Sequence, residues 1–440
     1  MALEDSELTR RALFGNSALL GLGAAFAPQA ALAKPAAAAA AAQFPAVTAM
    51  VDGYVAKRKV PGMLAALGFG QGKATIIARG TEGFNDRDVE TIDTLFRVYS
   101  MTKPVTGMAA MTLIDDGKMS LDQPLSDILP KFAIMMVQVT PDGSITDLRP
   151  AKTPITLRML LTHSAGLGYS IIQKGPIKDA YVAAGVVPGQ VSKVPIPGLE
   201  RGTPVGSLAL FADRLADLPL VYEPATQWSY SVALDLMGRV IEVVSGKPFD
   251  VFLQDRLFGP LGMTSSGFQV AAKDIHRLST NYAVVAGTPL PIDPGEASIF
   301  AEKPPFPMGG AGLVTSPRDY DRFLRMIANY GVIDGKRVMT DRAIRTGTSN
   351  LLPPGVPTKG TFANGAGFGA GGRVGLGDAA GTYGWGGAAG TVALVHLKYG
   401  LRGSLYTQYM PSGAYPVHAD FPTAVMTDLT AMAPTKKKVA

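Results

Sequence analysis

Hydrophobic and polar positions along the chain predict strands near both ends and helices between them. Residues 63–70 and 74–80 are short, mostly apolar runs on either side of Gln71-Gly72-Lys73, a pattern typical of a β-hairpin. Residues 96–113 are interpreted as a helix. The hairpin therefore comes first, and a helix follows it directly.

The middle third, residues 117–316, has helical patterns interrupted by loops rich in proline and glycine. Residues 157–161 follow Thr156, which is a candidate helix N-cap. Residues 232–244 form an apolar-periodic helix that Gly246 ends. This part of the chain is predicted to be mainly helical.

The last third returns to strands. Ser316-Pro317-Arg318-Asp319 combines an N-cap, a first-turn proline and an early acidic residue, and predicts a helix that stops at Gly331. Residues 391–397 and 403–410 are predicted strands, and residues 421–432 a last helix. Strands at both ends suggest a single sheet that contains segments from both termini.

The predicted fold class is α/β, or more strictly α+β. An antiparallel sheet built from N- and C-terminal segments is flanked by helices and carries an inserted helical subdomain. The predicted divisions are a signal peptide at 1–33, an alanine-rich linker at 34–43 and a main domain at 44–440, with 44–116 and 317–435 forming the α/β part and 117–316 the helical insert.

Composition excludes several classes of function. With 440 residues, 47% hydrophobic and 17% charged, the chain has the composition of a globular protein. The absence of cysteine excludes disulfides, thiolate nucleophiles and Cys-ligated zinc. The net charge of +6 comes from interspersed signs and a C-terminal Lys436-Lys437-Lys438, not from a basic stripe, so nucleic acid is not an expected partner.

The N-terminus resembles a twin-arginine export signal. Thr9-Arg10-Arg11 precedes an uncharged apolar run that ends at Phe26, and Ala31-Leu32-Ala33 is a small-x-small cleavage site. The alternatives are a permanent anchor, for which the apolar run is short, and an ordinary basic helix. The expected location is periplasmic or secreted in a bacterium, without stable membrane insertion.

Ser100-Met101-Thr102-Lys103 is the first candidate for chemistry. On a helix, residues three apart share a face, so the Ser100 hydroxyl and the Lys103 amine come within hydrogen-bonding reach. The helix N-terminus stabilises developing negative charge at Ser100. The alternative is an exposed N-cap serine with a solvated lysine one turn later.

Two further motifs lie downstream. Tyr230 precedes the helix at 232–244, and beside a lysine its phenolate form would be favoured, so it could accept and return the serine proton. The glycines of Trp385-Gly386-Gly387-Ala388 allow a strand edge to approach an acyl group and leave a backbone N–H for an oxyanion. The alternatives are a packed tyrosine and an edge bulge.

Other hydrolase and cofactor signatures are missing from the sequence. It has four histidines and no Gly-x-Ser-x-Gly elbow, and His163 lies at a helix end where capping or core hydrogen bonding is expected. No His-Glu-x-x-His occurs, so no metal site is predicted. Residues 367–372 match a dinucleotide fingerprint but lack its strand and helix, and a glycine-rich strand or loop is expected there. No cofactor is predicted.

In order along the chain, Ser-x-x-Lys, Tyr-Ser-x and Trp-Gly-Gly resemble the motifs of the serine β-lactamase and penicillin-recognising superfamily, most of all those of the family VIII carboxylesterases. Three supporting segments also match, at 160–167, 258–263 and 309–313. The resemblance implies a nucleophile at Ser100, an activating partner at Lys103 and a general base and acid at Tyr230. Which of Lys103 and Tyr230 takes the first proton stays open.

The resemblance also implies an oxyanion hole formed by the N–H groups of Ser100 and Ala388. The substrate-binding positions are predicted to be Tyr99, Val232, Trp385, Gly386 and Gly387. Val232 replaces the usual amide-binding asparagine of β-lactamases, and Trp385 replaces the lysine that pairs with a β-lactam carboxylate. Both changes favour an uncharged ester.

The predicted function is therefore ester hydrolysis through an acyl-enzyme, with a small-molecule ester as substrate. A β-lactamase, a D-amino-acid peptidase or amidase, and a transacylase are alternatives on the same fold. A non-enzymatic penicillin-type binding domain is the alternative from another class.

Overall fold

The computed structural model describes residues 38–193, 196 and 202–432, so the predicted export signal lies outside the described residues. Residues 38–43, which the sequence assigned to a linker, are helical, and Phe44 N–H bonds to the carbonyl of Ala40. This corrects the linker prediction in part, because alanine is the strongest helix former and Ala40 is buried against the body of the protein.

The described helices alternate with short strands and loops. The helices are α1 (Pro45–Ala56), α2 (Thr102–Asp115), α3 (Leu157–Leu161), α4 (Gly175–Ala183), α5 (Leu208–Ala216), α6 (Ala233–Ser245), α7 (Phe249–Leu253), α8 (Gly259–Leu261), α9 (Pro317–Ala328), α10 (Asp341–Gly347) and α11 (Val417–Met432). Within the described part of the chain, no helix is long and apolar enough to cross a membrane.

The strands belong to one large sheet and several small ones. They are β1 (Gly62–Phe69), β2 (Thr75–Gly80), β3 (Phe96–Arg97), β4 (Met136–Gln138), β5 (Leu148–Pro150), β6 (Asn281–Val285), β7 (Thr288–Asp293), β8 (Val314–Thr315), β9 (Val332–Ile333), β10 (Lys336–Arg337), β11 (Gly367–Phe368), β12 (Arg373–Val374), β13 (Thr382–Gly386), β14 (Val392–His396), β15 (Leu401–Tyr406) and β16 (Tyr409–Met410).

The large sheet has the order β11-β12-β13-β14-β15-β1-β2, and all its neighbours are antiparallel. Because β1 pairs with β15, segments from both ends of the chain lie side by side, as the sequence predicted. Helices α1 and α11 pack together and cover one face of this sheet. Helices α2 and α9 contribute to the larger core on the other face.

The segment 117–316 is less helical than predicted. It contains helices α3–α8, but also strands β4–β8, of which β6 and β7 form a three-stranded sheet with β16. Periodicity missed these strands because they are short and because β6 pairs with β16, a partner far along the chain. The segment 403–410, predicted as a single strand, is divided between two strands. Strand β15 belongs to the large sheet, and β16 pairs with the distant β6 in the small one.

The helix predicted over 96–113 begins later than expected. Phe96 and Arg97 form β3, which pairs with Thr315 and Val314 of β8. A 3₁₀ turn at Tyr99–Met101 follows, and α2 begins at Thr102. The strand pairing is a contact between distant parts of the sequence, so a local pattern cannot reveal it.

A buried ion pair holds the end of β3 against the small sheet. Arg97 and Asp293 are both buried, and Arg97 Nε lies 2.6 Å from Asp293 Oδ2. The Arg97 guanidinium also donates to the Asp293 carbonyl, to the Ser279 carbonyl and to Ser298 Oγ. Since Arg97 is three residues before Ser100, this network fixes the chain as it enters the candidate site.

We expect Asp293→Ala to lower the free energy of unfolding by about 3–5 kcal/mol, because it leaves a buried guanidinium without its counter-charge. Asp217→Ala is the matched control, because it removes the exposed ion pair between Lys131 and Asp217 and should cost less than about 1 kcal/mol. Urea denaturation monitored by circular dichroism measures both. Equal losses in the two variants would contradict this role for the Arg97 network.

Candidate active site

Ser100 lies in the 3₁₀ turn that leads directly into α2. Helix α2 is buried from Thr102 through Leu113, so the serine stands at the N-terminal end of a helix enclosed by the protein. The helix dipole and free backbone N–H groups at such an end favour negative charge. This environment suits a hydroxyl that must lose a proton.

Lys103 lies one turn after Ser100 and is fully buried. Its ammonium donates to Ser100 Oγ at 3.3 Å and to the carbonyl of Gly310 at 2.7 Å. The side chain therefore does not extend into solvent, and the alternative of a solvated lysine beside an exposed N-cap serine does not hold.

Tyr230 completes the group. Its hydroxyl donates to Ser100 Oγ at 2.6 Å, across 130 positions of sequence. Lys103 Nζ lies 4.5 Å from the centre of the Tyr230 ring. The indole N–H of Trp385 points to the Tyr230 hydroxyl at 3.5 Å. A hydroxyl, an amine and a phenol from two distant segments thus meet at one point.

Aromatic side chains hold the Tyr230 ring in place. The centres of the neighbouring rings lie between 5.0 and 6.1 Å from that of Tyr230. These neighbours are His163, Tyr169, Trp228, Phe362 and Trp385. Contacts on several sides fix the ring plane, so the phenol oxygen is directed at Ser100.

His163 packs against the Tyr230 ring and hydrogen-bonds the segment around it. Its backbone carbonyl accepts from Ser229 N–H, and its Nδ1 lies 3.0 Å from Ser231 Oγ and accepts from Ser231 N–H at 3.3 Å. Burial, and next the charge of Lys103, lower the pKa of His163 well below its usual value. The imidazole is therefore neutral at physiological pH, and it makes the core hydrogen bonds that the sequence indicated.

The turn after β13 lies against the segment that precedes Ser100 and carries a backbone N–H without an acceptor among the described residues. Gly387 N–H bonds to the Thr391 carbonyl, whereas no described residue accepts a hydrogen bond from Ala388 N–H. A Cβ at position 387 would lie 2.4 Å from the carbonyl oxygen of Val98, so only glycine allows this turn to approach the segment before Ser100. Ala388 N–H is thus free for a ligand, and Gly386 and Trp385 lie partly exposed beside it.

Two of the side chains predicted to bind substrate, those of Tyr99 and Val232, are buried. The Tyr99 side chain is buried, accepts a hydrogen bond from Asn281 and packs edge-on against Phe300, within the cluster beside the small sheet. Val232 is fully buried at the N-cap of α6. Val232 was predicted from its place in the Tyr-Ser-x motif, and a position in the sequence does not by itself determine where a side chain points. Both side chains are at most 2% exposed.

The glycine-rich segment at 367–372 is a hairpin against α2, as the sequence indicated. Strands β11 and β12 pair antiparallel. A Cβ at Gly371 would lie 2.2 Å from the Lys103 carbonyl, and one at Gly107 would lie 2.0 Å from the Ala370 carbonyl. The glycines therefore serve close packing of the hairpin on the helix that carries Ser100 and Lys103.

Sequence reasoning missed Asp235 and Phe362, and it identified Gly310 only as part of the matching segment 309–313, without its contact to Lys103. Asp235 is a single acidic residue in the otherwise apolar start of α6, and that isolation was an available signal. Phe362 has 64% of its surface exposed although it contacts Tyr230, and nothing in its local sequence indicates this. Among the described residues, no group of acidic, histidine or cysteine side chains could hold a metal ion.

Comparison with known proteins agrees with the fold. The family model described as Beta-lactamase matches residues 47–423. Esterase EstB of Burkholderia gladioli is 31% identical over 387 residues, covering 82% of this chain and 88% of EstB. A solved structure described as EstCE1, a hydrolase with promiscuous acyltransferase activity, superposes with a TM-score of 0.70 at 24% identity, covering 89% of this chain and 99% of EstCE1.

Another relative matches over a shorter length. An uncharacterized protein of Mycobacterium tuberculosis is 35% identical over 254 residues, and the alignment spans 58% of this chain and 58% of that relative, less than two thirds of its length. The match to the family model nevertheless extends over most of the chain. The chain therefore belongs to the β-lactamase family, and within it resembles the family VIII carboxylesterases.

Proposed function

We propose that this protein is a serine carboxylesterase that cleaves uncharged esters through an acyl-enzyme on Ser100. The observation that carries the proposal is the 2.6 Å hydrogen bond between Tyr230 and Ser100, with the buried ammonium of Lys103 in contact with both. A nucleophile with a proton acceptor in direct contact is the arrangement that acyl transfer needs.

Before the first half of the reaction, the pair formed by Tyr230 and Lys103 must give up one proton to solvent. Ser100 Oγ then attacks the ester carbonyl carbon, and its proton passes to that pair. The carbonyl oxygen becomes an oxyanion, which the N–H groups of Ser100 and Ala388 would bind. When the intermediate collapses, the bond to the alcohol oxygen breaks, and Tyr230 returns the proton to that oxygen. The alcohol leaves, and the acyl group stays on Ser100.

In the second half, water takes the place of the alcohol. It attacks the acyl carbonyl while Tyr230 and Lys103 accept its proton, and Ser100 Oγ regains a proton as it leaves. The products are the carboxylic acid and the free enzyme. The same groups act twice because each step is the reverse of the other with a different oxygen.

The walls of the site favour an uncharged substrate. Trp385 and the exposed ring of Phe362 flank Tyr230 with apolar surface. Arg373 is a nearby cation, but it pairs with Gly384, so strand alternation directs its side chain to the face opposite Trp385. A substrate carboxylate would therefore meet apolar rings in this part of the site, which disfavours β-lactams.

Transacylation is the second candidate, and Phe362 is the observation that favours it. A large exposed aromatic ring beside the proton-transferring Tyr230 could hold an apolar alcohol in the place where water would otherwise attack. The relative EstCE1 is described as a hydrolase with promiscuous acyltransferase activity. An acceptor alcohol would give a new ester in place of the acid.

We expect the enzyme to turn over short-chain p-nitrophenyl esters faster than a chromogenic cephalosporin, because the rings of Trp385 and Phe362 would present apolar surface to the cephalosporin carboxylate. Ser100→Ala should lose both activities to the background rate, since it removes the attacking oxygen. Steady-state rates at matched substrate concentrations decide the question. Faster cephalosporin turnover would overturn the substrate assignment, and full esterase activity in Ser100→Ala would overturn the nucleophile.

Tyr230→Phe should lower kcat for p-nitrophenyl acetate by about 10²–10⁴-fold, because it removes the group that accepts and returns the proton. Trp385→Phe should lower kcat by about tenfold or less, because it removes only a long hydrogen bond to the phenol. Phenylalanine preserves most of the ring packing in both variants. If Tyr230→Phe kept more than about a tenth of the wild-type kcat, the assignment of Tyr230 would be wrong.

Phe362→Ala should reduce transfer of the acetyl group from p-nitrophenyl acetate to benzyl alcohol several-fold relative to hydrolysis, because the acceptor loses its stacking surface. Met426→Ala is the control, because Met426 is also exposed but lies on α11, which packs on the other face of the large sheet. Chromatography of benzyl acetate and acetate gives the ratio. An unchanged ratio in Phe362→Ala would exclude the ring as an acceptor site.

A further inference from the structure

The ammonium of Lys103 has no direct ion pair among the described residues. Its hydrogen-bond acceptors are Ser100 Oγ and the Gly310 carbonyl, and the rings of Tyr230 and Tyr169 lie at 4.5 and 5.8 Å. All four are neutral groups. Burying a cation away from water is costly without a nearby negative charge. The ammonium of Lys103 therefore needs a counter-charge beyond the four groups that contact it directly.

Asp235 lies directly behind the Gly310 segment. It is buried in the first turn of α6, and its Oδ1 accepts from Gly310 N–H at 2.8 Å. Gly310 therefore contacts Asp235 through its N–H and Lys103 through its carbonyl. Burial raises the pKa of Asp235, while the charge of Lys103 lowers it, so the two charges act on each other across Gly310.

The segment Gly309-Gly310, which lies between Lys103 and Asp235, contacts helices α2 and α6. Thr106 Oγ1, on α2, donates to the Gly309 carbonyl at 2.7 Å. A Cβ at Gly309 would lie 2.5 Å from the Leu234 carbonyl, and one at Gly310 would lie 2.5 Å from Asp235 Oδ2. Glycine is therefore needed at both positions for the segment to fit between α2 and α6, and the Gly310 carbonyl is directed at Lys103.

We propose that Asp235 is the positioning residue and counter-charge of Lys103, acting through Gly310. Its carboxylate fixes the carbonyl that orients the Lys103 side chain, and its negative charge offsets the positive charge buried beside Ser100 and Tyr230. This proposal rests on the proposed function, because it assigns Asp235 a part in activating the same serine.

The charge of Asp235 has a predictable effect on pH dependence. The groups that face Lys103 are Ser100, Tyr169 and Tyr230, His163 in its neutral form, and Asp235 across Gly310. A nearby anion makes it harder for the Lys103–Tyr230 pair to lose a proton. Removing that anion should therefore move both limbs of the pH–rate profile to lower pH, whichever of the two groups takes the serine proton.

The test is the rate at which a fluorophosphonate probe labels Ser100 as a function of pH. In this reaction the bond from Ser100 Oγ to phosphorus forms, the phosphorus–fluorine bond breaks, fluoride leaves, and the serine proton passes to the Lys103–Tyr230 pair. Asp235→Asn keeps the shape and the oxygen that accepts from Gly310 but removes the charge. We expect slower labelling at the optimum and limbs shifted by about one pH unit to lower pH.

Asp319→Asn is the matched control. Asp319 is as buried as Asp235 and also accepts from a backbone N–H, that of Ser265, but it lies at the start of α9. This control should lose stability without moving the limbs. If the limbs of Asp235→Asn coincide with those of the wild type, or if Asp319→Asn shifts them equally, Asp235 is not the counter-charge.

Gly310→Ala tests the same link from the other side and decides the question alone if Asp235→Asn does not fold. The added Cβ would press on Asp235 Oδ2 and move the carboxylate away from Lys103, so the limbs should shift in the same direction by a smaller amount. Unchanged limbs in a folded Gly310→Ala would overturn the proposal. Because labelling needs no ester turnover, a wild type that is labelled but does not hydrolyse esters would refute only the proposed function.

Discussion

A charged amine buried one helical turn from a serine is the constraint on which the rest of this structure depends. Water would stabilise the ammonium of Lys103 far better than an apolar core does, so the protein must supply oriented dipoles and a counter-charge in its place. The Gly310 carbonyl, the Ser100 hydroxyl and the face of Tyr230 provide the dipoles. Each comes from a different part of the chain, so the site exists only in the folded protein.

The fold meets this constraint through close backbone approaches. Gly371 and Gly107 let the β11–β12 hairpin pack directly on α2, and Gly310 lets the loop before β8 lie against α6. The Arg97 network fixes the chain before Ser100, and the ring cluster around Tyr230 fixes the phenol. Rigid support of this kind holds reacting groups at hydrogen-bond distance without reorganisation.

The sequence predicted the sheet, and it predicted that Ser100 and Lys103 lie within hydrogen-bonding reach, because those features leave local signals. The hairpin of β1 and β2 shows as two apolar runs with a polar turn, and Ser-x-x-Lys follows helical spacing. It predicted the surroundings less well. The strand at Phe96–Arg97, the small sheet of β6, β7 and β16, and the burial of Tyr99 all depend on partners far along the chain, which no local window contains. Asp235 left a weak signal as a single acidic residue in an apolar helix start.

The central claim is that Ser100 carries the acyl group between the two halves of the reaction. The most direct measurement is mass spectrometry of the enzyme quenched in acid during turnover of p-nitrophenyl butyrate, followed by peptide mapping. We expect a mass increase of one butyryl group on the peptide that contains Ser100. A butyryl group on any other residue, or turnover with no acylated enzyme when acylation is faster than deacylation, would contradict it.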